Sequence, residues 1–380
     1  MSELEKDASN GASNDVQPVF GTMADVVEHV TERYGRAGIR LGAEGADTDI
    51  IMTPGAYARF LEGEMGIGES FQDNLCREGS MTIREFTMKR IRGRLMEPPR
   101  KTKGYQQDLE HSPIVAREHY DIGNDYFRAM LDPYMQYSCG WYYKGAQNLA
   151  EAQEAKLLGT GTKQRLSAGD TVLDIGCGFG GLLRFYHERW NTRGVGTTLS
   201  QEQADFARES NKGLPNEFLV RDYRNLEGQF DHIVSVGMFE HVGPEHYEEF
   251  FDACVRLLKP GGDVLLHSIF GGGMDPWLEA NIFRGGELPT KPQVENAIKG
   301  RFIAMDWHWF GRDYDPTAMA WNANMKAARE TLRGEKYDDR FFRTQDYYQQ
   351  ACAGRFASRI ITAGQVHLFK EPTDGYQMVR

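Results

Sequence analysis

The sequence lacks long apolar runs and contains few cysteines. None of its uninterrupted apolar segments reaches about 18 residues, the length from which a membrane-spanning helix is expected. Its five cysteines are odd in number, widely spaced and without a C-x-x-C pair (positions 76, 139, 177, 254 and 352). This usage argues against a disulfide framework and against a zinc site, so the sequence predicts a cytoplasmic protein with no bound metal.

Basic residues are also in the minority. The 380 residues carry a formal net charge of −11, which makes non-specific binding to nucleic acid unfavourable. The length and a hydrophobic content of 40% are sufficient for roughly two packed domains. The first residues are polar and acidic without an apolar segment, so we expect a disordered tail over residues 1–18 and no signal peptide.

Positive charge is concentrated in one stretch of the chain. Residues 84–103 contain eight basic and two acidic side chains, which gives this stretch a net charge of +6. Two interpretations are open, a solvated helix face or a surface that contacts the anionic headgroups of a membrane. The second interpretation would make this stretch the membrane-binding part of the protein.

A glycine-rich stretch between residues 171 and 181 organises the larger part of the chain. Val172–Ile175 is predicted to be a buried strand, glycines follow at positions 176, 178, 180 and 181, and apolar residues at helical spacing come next. This order is typical of the nucleotide-binding unit of an open α/β sheet. The spacing also fits G-x-G-x-x-G, so a dinucleotide site is the alternative, and a turn without a ligand is the third. Asp174 favours a cationic ligand, because its carboxylate lies at the end of the strand.

Alternating strands and helices surround this unit and predict a doubly wound parallel sheet. The predicted strands are 194–199, 217–220, 230–236 and 263–269, with 365–370 as a last edge strand, and the predicted helices are 151–166, 201–211 and 246–258. A smaller α+β unit is predicted from helices at 23–34, 57–61 and 86–95 and strands at 39–41 and 49–52. We therefore expect an N-terminal domain (19–97), a linker (98–112) and a larger domain (113–380), with residues 271–300 as a lid or insertion.

Two motifs resemble those of class I S-adenosylmethionine (SAM) methyltransferases. They are Asp-Ile-Gly-Cys-Gly (174–178) in the glycine turn and Leu-Lys-Pro-Gly-Gly (258–262) before a predicted strand. A strand preceded by Leu-Lys-Pro-Gly-Gly is a poor fit to dehydrogenases. The strand at 194–199 also lacks the usual acidic residue for a ribose at its end, so hydroxyl and amide groups of Thr-Leu-Ser-Gln-Glu-Gln (198–203) would have to take that role. The resemblance implies an α/β fold with a doubly wound, Rossmann-like sheet and a smaller α+β N-terminal domain.

Ten motifs in order closely resemble the bacterial cyclopropane-fatty-acyl-phospholipid synthases. They are HYDIGNDYF (119–127), LDPYMQYSC (131–139), LDIGCGFGG (173–181), TLSQEQ (198–203), RDYRNL (221–226), IVSVGMFEHVGPEHY (233–247), LKPGG (258–262), LLHSIF (265–270), DWHWFGRDYDPTAMAW (306–321) and ACAGRF (351–356). GIGESFQD (66–73) is also similar to the N-terminal domain of the longer bacterial members. The mycolic acid cyclopropane synthases share the later motifs but are less similar over the N-terminal unit.

This resemblance implies a reaction and its partners. A methyl group passes from the sulfonium of SAM to the cis double bond of an unsaturated membrane phospholipid, and the resulting cation loses a proton to bound bicarbonate and closes to a cyclopropane. A cytoplasmic enzyme in peripheral contact with the inner membrane face is implied, and a homodimer is expected. The alternatives are a fatty-acid methyltransferase that gives a methyl-branched or methylene product, a lipid-binding module, and a SAM methyltransferase with a non-lipid substrate.

The resemblance also assigns site residues. The catalytic candidates are Glu240, His267, Tyr314, Cys139 and Cys352, and bicarbonate would be held by the first three with the backbone at Cys139 and Ile269. We expect Cys352 to line the pocket without acting as a nucleophile, since alkene methylation needs no thiol. The cofactor-binding residues would be Tyr137, Ser138, Asp174, Gly176, Cys177, Gly178, Gly180, Thr198, Leu199, Ser200, Gln203, Asp222 and Tyr223. The aromatic candidates for stabilising a cation are Tyr137, Trp141, Phe239, Trp307 and Trp321.

Overall fold

The computed structural model describes residues 20–96, 122–372, 376 and 378–380. The predicted tail at 1–18 and the predicted linker at 98–112 therefore lie outside the described residues. Within the described ranges the chain forms one three-stranded and one seven-stranded sheet, with helices packed against both. No helix in these ranges is both long and apolar enough to pass through a bilayer.

The three-stranded sheet belongs to a small N-terminal unit. Its elements are α1 (Met23–Gly35), β1 (Leu41–Gly42), β2 (Ile50–Met52), α2 (Pro54–Phe60), α3 (Gly63–Gln72), β3 (Cys76–Glu78) and α4 (Ile83–Arg92). Capping boxes formed by Thr22 and Thr82 begin α1 and α4. The rings of Tyr34, Phe60 and Phe86 pack together in its core. The predicted helices and strands of this unit are confirmed, with bounds shifted by a few residues.

Helix α3 and strand β3 were not predicted, because the glycines of α3 resemble turn residues in the sequence. In the structure these glycines allow close packing. A Cβ on Gly66 would lie 1.9 Å from the carbonyl oxygen of Arg59, and one on Gly68 would lie 2.3 Å from the ring of Trp277. Only glycine fits at such distances, so at Gly68 the backbone of α3 packs directly against the indole ring of Trp277.

The seven-stranded sheet belongs to the larger unit. Its elements are α5 (Asn124–Met130), α6 (Leu149–Lys163), β4 (Thr171–Ile175), α7 (Gly181–Trp190), β5 (Arg193–Thr198), α8 (Gln201–Ser210), β6 (Glu217–Val220), β7 (Phe230–Val236), α9 (Tyr247–Leu257), β8 (Leu258–Phe270), α10 (Pro276–Asn281), α11 (Lys291–Ile298), β9 (Ile303–Trp309), α12 (Tyr314–Leu332), α13 (Asp339–Ala357) and β10 (Thr362–Phe369). The strand order is β6-β5-β4-β7-β8-β10-β9. The predicted Rossmann-like sheet is confirmed, and its parallel strands β4, β5 and β7 end at one edge, where ligands bind in such folds.

The prediction of residues 365–370 as an edge strand is wrong. Strand β10 lies between β8 and β9, is antiparallel to both, and is buried from Ala363 to Phe369. The strand at this edge of the sheet is β9, which lies within the DWHWFGRDYDPTAMAW motif and was not predicted as a strand. The strand predicted at 263–269 also begins earlier, at Leu258, because the Lys-Pro-Gly-Gly segment is accommodated by an irregularity in the pairing between β7 and β8.

Residues 271–300 contain two helices and contact the N-terminal unit. Helix α10 packs on α3, and α13 packs on both α3 and α4. The ring of Tyr347 on α13 meets Trp277 of α10 edge-on at 4.7 Å and stacks on Phe71 of α3 at 5.2 Å. The two units therefore share an aromatic contact surface that includes the segment predicted to be a lid.

A buried ionic network also crosses this contact. Arg90 of α4 pairs with Glu64 of α3, Glu64 pairs with Arg355 of α13 at 3.2 Å, and Arg355 pairs with Asp275. Asp275 in turn caps α10 by accepting from the N–H of Leu278 at 2.9 Å. The four charged side chains are at most 7% exposed. We call them the interface network.

This burial corrects the interpretation of residues 84–103 as one continuous lipid-binding surface. Arg90 is 1% exposed and belongs to the interface network, and Arg84 forms a two-point ion pair with Asp315 of α12 at 2.6 Å. Only Arg92 and Arg94 are exposed arginines in the described part of the stretch, which ends at residue 96. The sequence could not show this, because the partners of both buried or half-buried arginines are distant along the chain.

Candidate active site

A cavity opens where β4, β5 and β7 end. After β4 the backbone turns through Gly176, Gly178 and Gly180, which have φ values of +81°, +52° and +76°. The amides of Gly176 and Cys177 both donate to the carbonyl of Thr197 at 2.9 Å, which ties the turn to β5. A Cβ on Gly178 would meet nothing within 4 Å, so the turn presents bare backbone to the cavity.

The structure brings eleven of the thirteen predicted cofactor residues to the wall of this cavity. They are Tyr137, Ser138, Asp174, Gly176, Cys177, Gly178, Thr198, Leu199, Gln203, Asp222 and Tyr223. The other two serve the adjoining helices. Ser200 caps α8 by accepting from the N–H of Gln203 at 3.2 Å, and a side chain on Gly180 would collide with Ala207 and Phe218.

Several residues that line the cavity were not predicted from the sequence. Gln136 and Arg221 are neighbours of predicted residues, and Gly237, Met238 and His241 follow β7. The rule that ligands bind at the carboxyl ends of neighbouring parallel strands could have identified the last three. Lys156 of α6 gave no signal, because a lysine in a helix is ordinarily read as exposed, yet it is fully buried beneath the cavity.

Asp174 gives the cavity its buried carboxyl group. It is 3% exposed, and burial raises its pKa to about 7, while the positive charge of Lys156 opposes this rise. A positively charged ligand would favour the ionised carboxylate in the same way. The carboxyl group of Asp174 and the open glycine turn therefore fit the charged sulfonium and the amino acid portion of SAM.

A second cluster lies beside the cavity and contains the predicted bicarbonate residues. Glu240 follows β7 in a short 3-10 turn, and its Oε1 accepts from the N–H of Ile269 at 2.7 Å. Its Oε2 is buried without a hydrogen-bond partner, and burial raises the pKa of the carboxyl to about 7. His267 on β8 is 1% exposed, its Nδ1 has no partner, and burial lowers its pKa well below the usual value.

Aromatic rings join the remaining members of this cluster. Tyr314 stacks on Phe356 at 4.3 Å, and both pack with Cys139, Ile269 and Phe310. The ring of Phe310 is also 5.0 Å from that of His267. The five predicted bicarbonate residues therefore come together in space, although they lie on four separate segments, since His267 and Ile269 share β8. Ile269 differs from the expectation in one respect, since its N–H is already used by Glu240.

The orphaned atoms of this cluster fit a small hydrogen-bonding anion. A protonated Glu240 can donate from Oε2, Tyr314 donates from its hydroxyl, and neutral His267 can present an N–H at Nδ1. Buried polar atoms without partners are costly, so two of them at one site are consistent with a ligand that satisfies both. Within the described ranges no group of three or more acidic, histidine and cysteine side chains could hold a metal ion.

Some of the predicted cysteine and aromatic candidates lie at the second cluster, and others do not. Cys352 on α13 is half-buried against the core of the N-terminal unit, and burial raises the pKa of its thiol to about 12. The ring of Trp321 lies 5.0 Å from that of Tyr137 and 5.9 Å from that of Tyr314. Trp141 packs on Phe310 at 5.4 Å.

The other two aromatic candidates pack away from this cluster. Phe239 stacks on Tyr247 at 4.3 Å within the core of the larger unit. Trp307 stacks on Trp309 at 5.5 Å on the outermost strand β9. Their contacts account for them as packing residues.

A Rossmann-like sheet with this glycine turn, this strand order and this cavity defines a class I SAM-dependent methyltransferase. The family model described as mycolic acid cyclopropane synthetase matches residues 107–366. The chain therefore belongs to the cyclopropane synthase family of these enzymes.

Individual relatives agree with this assignment. The chain is 40% identical over 363 residues to the cyclopropane-fatty-acyl-phospholipid synthase of Escherichia coli (strain K12), which covers 92% of this chain and 94% of that protein. It is 30% identical over 295 residues to a probable fatty acid methyltransferase of Pseudomonas putida, covering 73% and 74%. The crystal structure of mycolic acid cyclopropane synthase CmaA1 complexed with SAH and CTAB superposes with a TM-score of 0.62, at 30% identity, covering 67% of this chain and 97% of that one.

Proposed function

We propose that this enzyme uses SAM to convert the cis double bond of an unsaturated phospholipid acyl chain into a cyclopropane ring. The observation that carries the proposal is the cluster beside the cofactor cavity, where Glu240 and His267 each present a buried polar atom without a partner. Methylation of an alkene leaves a cation, and ring closure needs a group that removes a proton from the added methyl. The similarity to the Escherichia coli synthase extends over both units and supports the phospholipid as substrate.

The residues around the cofactor cavity would align the methyl donor. The turn at Gly176 and Gly178 lets the backbone approach SAM closely, and ionised Asp174 would favour its positive charge. An alkene is a weak nucleophile, so the rate depends on holding it in line with the methyl group. Such orientation can contribute roughly 7–11 kcal/mol to lowering a barrier.

The aromatic residues between the two sites would protect the cation that follows methyl transfer. Tyr137, Tyr314 and Trp321 form a continuous aromatic wall, and each ring can stabilise a nearby cation by about 0.5–2 kcal/mol. The hydroxyl of Tyr137 is 2.9 Å from that of Tyr348, which fixes the orientation of its ring. An apolar surrounding also keeps water from trapping the cation as an alcohol.

Bicarbonate is proposed as the group that occupies the second cluster. It would be held by Glu240, His267 and Tyr314 together with the backbone at Cys139, and when bound it supplies the base for the departing proton. The N–H of Ile269 would act by fixing Glu240 through the 2.7 Å hydrogen bond. Because burial raises the pKa of Glu240 to about 7, its protonated form can donate to an anion without charge repulsion.

The N-terminal unit and residues 271–300 are proposed to manage the lipid. The exposed Arg92 and Arg94 would contact anionic headgroups at the inner membrane face, while residues 271–300 would cover the site as a lid. One backbone hydrogen bond supports the second role, since the N–H of Glu287 donates to the carbonyl of Glu240 at 2.9 Å. Assembly into a homodimer belongs to the same proposal.

The proposal is tested by incubating the purified protein with SAM and vesicles of an unsaturated phosphatidylglycerol, followed by mass and NMR analysis of the acyl chains. A gain of one CH₂ with loss of the alkene and appearance of a ring is expected. Vesicles of a fully saturated phospholipid are the control and should remain unchanged. A methyl branch or an exocyclic methylene instead of a ring would replace this proposal with fatty-acid methylation.

Fatty-acid methylation is kept as the second candidate because of the similarity to the Pseudomonas putida protein. Both candidates share methyl transfer and differ only in how the cation loses its proton. Unchanged acyl chains together with tight vesicle binding would instead favour a lipid-binding module, and SAM turnover on other compounds would favour a non-lipid substrate. Adding and omitting bicarbonate in the same assay separates the role of the anion from methyl transfer.

A further inference from the structure

Helix α6 contains two buried lysines about two turns apart on the same face. Lys163 has an acidic partner, since its Nζ is 3.6 Å from Asp306 and 3.0 Å from Nδ1 of His308. Lys156 is 0% exposed, and its Nζ donates to two neutral oxygens, Oε1 of Gln136 and Oγ of Ser138 at 3.1 Å. A buried ammonium group without an acidic partner is costly, so Lys156 should have a role in the segment that contains Gln136 and Ser138.

Both partners of Lys156 belong to the segment from Met135 to Cys139. This segment has no helix or strand, and Met135 adopts a left-handed φ of +53°. Gln136, Tyr137 and Ser138 line the cofactor cavity. Cys139, the last residue of the segment, lies in the second cluster. One irregular segment thus contributes to both parts of the site.

Side chains rather than a backbone ladder determine the shape of this segment. Asp132 accepts from the amides of Tyr134 at 2.8 Å and Gln136 at 2.7 Å. Gln153 of α6 donates to the carbonyl of Ser138 at 2.7 Å. Lys156 adds the charged contact at the centre of the segment, between these two supports.

We propose that Lys156 is a positioning residue, whose ammonium group holds Gln136 and Ser138 from below and thereby keeps the segment 135–139 in the shape that binds SAM. Lys156 itself does not touch the cofactor cavity, so it acts through its two partners. Its positive charge also faces Asp174, where it favours the ionised carboxylate against the effect of burial. This inference depends on the SAM site and not on the lipid product.

The test compares Lys156→Met with Lys163→Met, a matched loss of a buried lysine from the same helix. The affinity for S-adenosylhomocysteine (SAH) is measured by calorimetry, which needs no lipid and no turnover. Lys156→Met should weaken SAH binding about tenfold or more, because hydrogen bonds from charged groups are the strong ones. Lys163→Met should leave this affinity within about twofold, although removing a buried, hydrogen-bonded ammonium group should lower the unfolding temperature of both variants.

Steady-state kinetics provide a second readout. With unsaturated vesicles, Lys156→Met should raise the KM for SAM, while kcat at saturating SAM changes much less. A high SAM concentration fills the weakened site and so compensates for the lost affinity. Equal losses of SAH affinity in the two lysine variants would overturn the proposal, and so would unchanged affinity in Lys156→Met. Failure of the lipid reaction in the wild type would leave the SAH comparison intact.

Variants of the partners keep the proposal testable if Lys156→Met does not fold. Gln136→Leu combined with Ser138→Ala removes both acceptors and keeps the lysine. This double variant should weaken SAH binding to a similar degree, and an affinity within about twofold of wild type would contradict the proposal. Where Lys156→Met folds, adding it to the double variant should cause little further loss. Additive losses would mean that Lys156 acts independently of the segment, which would contradict the proposal.

Discussion

Two groups of buried charges in this protein are organised in opposite ways. In the interface network each carboxylate meets a guanidinium, since Glu64 contacts Arg90 and Arg355, and Asp275 contacts Arg355. In the active site, Asp174 and Glu240 lack an arginine partner, and burial raises the pKa of each carboxyl to about 7. Carboxylates that join the two units are thus paired with arginines, whereas the buried carboxyl groups of the site are not.

The two groups are close neighbours along α13. Arg355 belongs to the interface network, and the next residue, Phe356, stacks on Tyr314 of the second cluster. The same helix therefore presents a structural charge on one side and supports a site residue on the other. Variants on each side allow stability and activity to be separated.

The largest effect is expected from Arg355→Met. It removes the central cation of the interface network and leaves Asp275 buried without its partner, which should lower the free energy of unfolding by about 3–5 kcal/mol. Urea unfolding measures this change. Arg84→Met is the control, because it removes a more exposed ion pair across the same contact and should cost about 1 kcal/mol or less. Equal losses in the two variants would show that burial of the ion pair does not increase its contribution to stability.

The next largest effect is expected from Glu240→Gln, and on activity instead of stability. The amide oxygen can still accept from Ile269, but the group can no longer exchange a proton with a bound anion. We expect a loss in kcat of about a hundredfold or more, measured by ring formation in unsaturated vesicles. The free energy of unfolding should stay unchanged or rise at neutral pH. A marked loss of stability would place Glu240 with the structural charges.

The pH dependence of stability sharpens the same contrast. Burial raises the pKa of Glu240 to about 7 in the folded protein, so between about pH 4.5 and 7 the folded state binds more protons than the unfolded state. Stability from this group is therefore present at low pH and is lost as pH rises towards 7. Wild type and Glu240→Gln should differ by roughly 2 kcal/mol between pH 5 and 8, in favour of the variant at pH 8. Parallel pH profiles of unfolding would contradict this assignment.

The smallest effect is expected from Cys352→Ser. Burial raises the pKa of the thiol to about 12, so the thiolate that a nucleophile needs is scarce at neutral pH. Ring formation should stay within about twofold of wild type, since packing near α3 changes only slightly. Slow labelling of the native protein by iodoacetamide would support a protonated thiol. A tenfold fall in kcat would return Cys352 to the catalytic candidates.

Local patterns predicted much of this fold from sequence. The strand, glycine turn and helix from Thr171 to Trp190 were readable because they are contiguous and have strong periodicity. The position of β10 inside the sheet was not readable, because strand order depends on contacts between distant segments. Helix α3 was hidden by glycines that serve packing against Trp277.

The site was predicted to a different extent. Motif resemblance selected residues that the structure brings together from four segments, which no local pattern could have shown. It gave no indication of Lys156, since helical sequence alone does not reveal that a lysine is buried. Arg90 was also predicted to lie on the surface, because its partner Glu64 is 26 residues away along the chain, and Arg355 is 291 residues from Glu64. Charge patterns along the chain cannot distinguish a paired interior arginine from a solvated one.

The close contact between Gly68 and Trp277 has a consequence for recombining this enzyme with its relatives. A hybrid that joins this N-terminal unit to another synthase would need both partners of that contact, because any larger residue at 68 would strike the indole ring. Gly68→Ala would then disrupt the packing between the two units without removing any residue of the methyl-transfer site. Such a protein would make it possible to ask how much a lipid-modifying enzyme relies on its own companion domain.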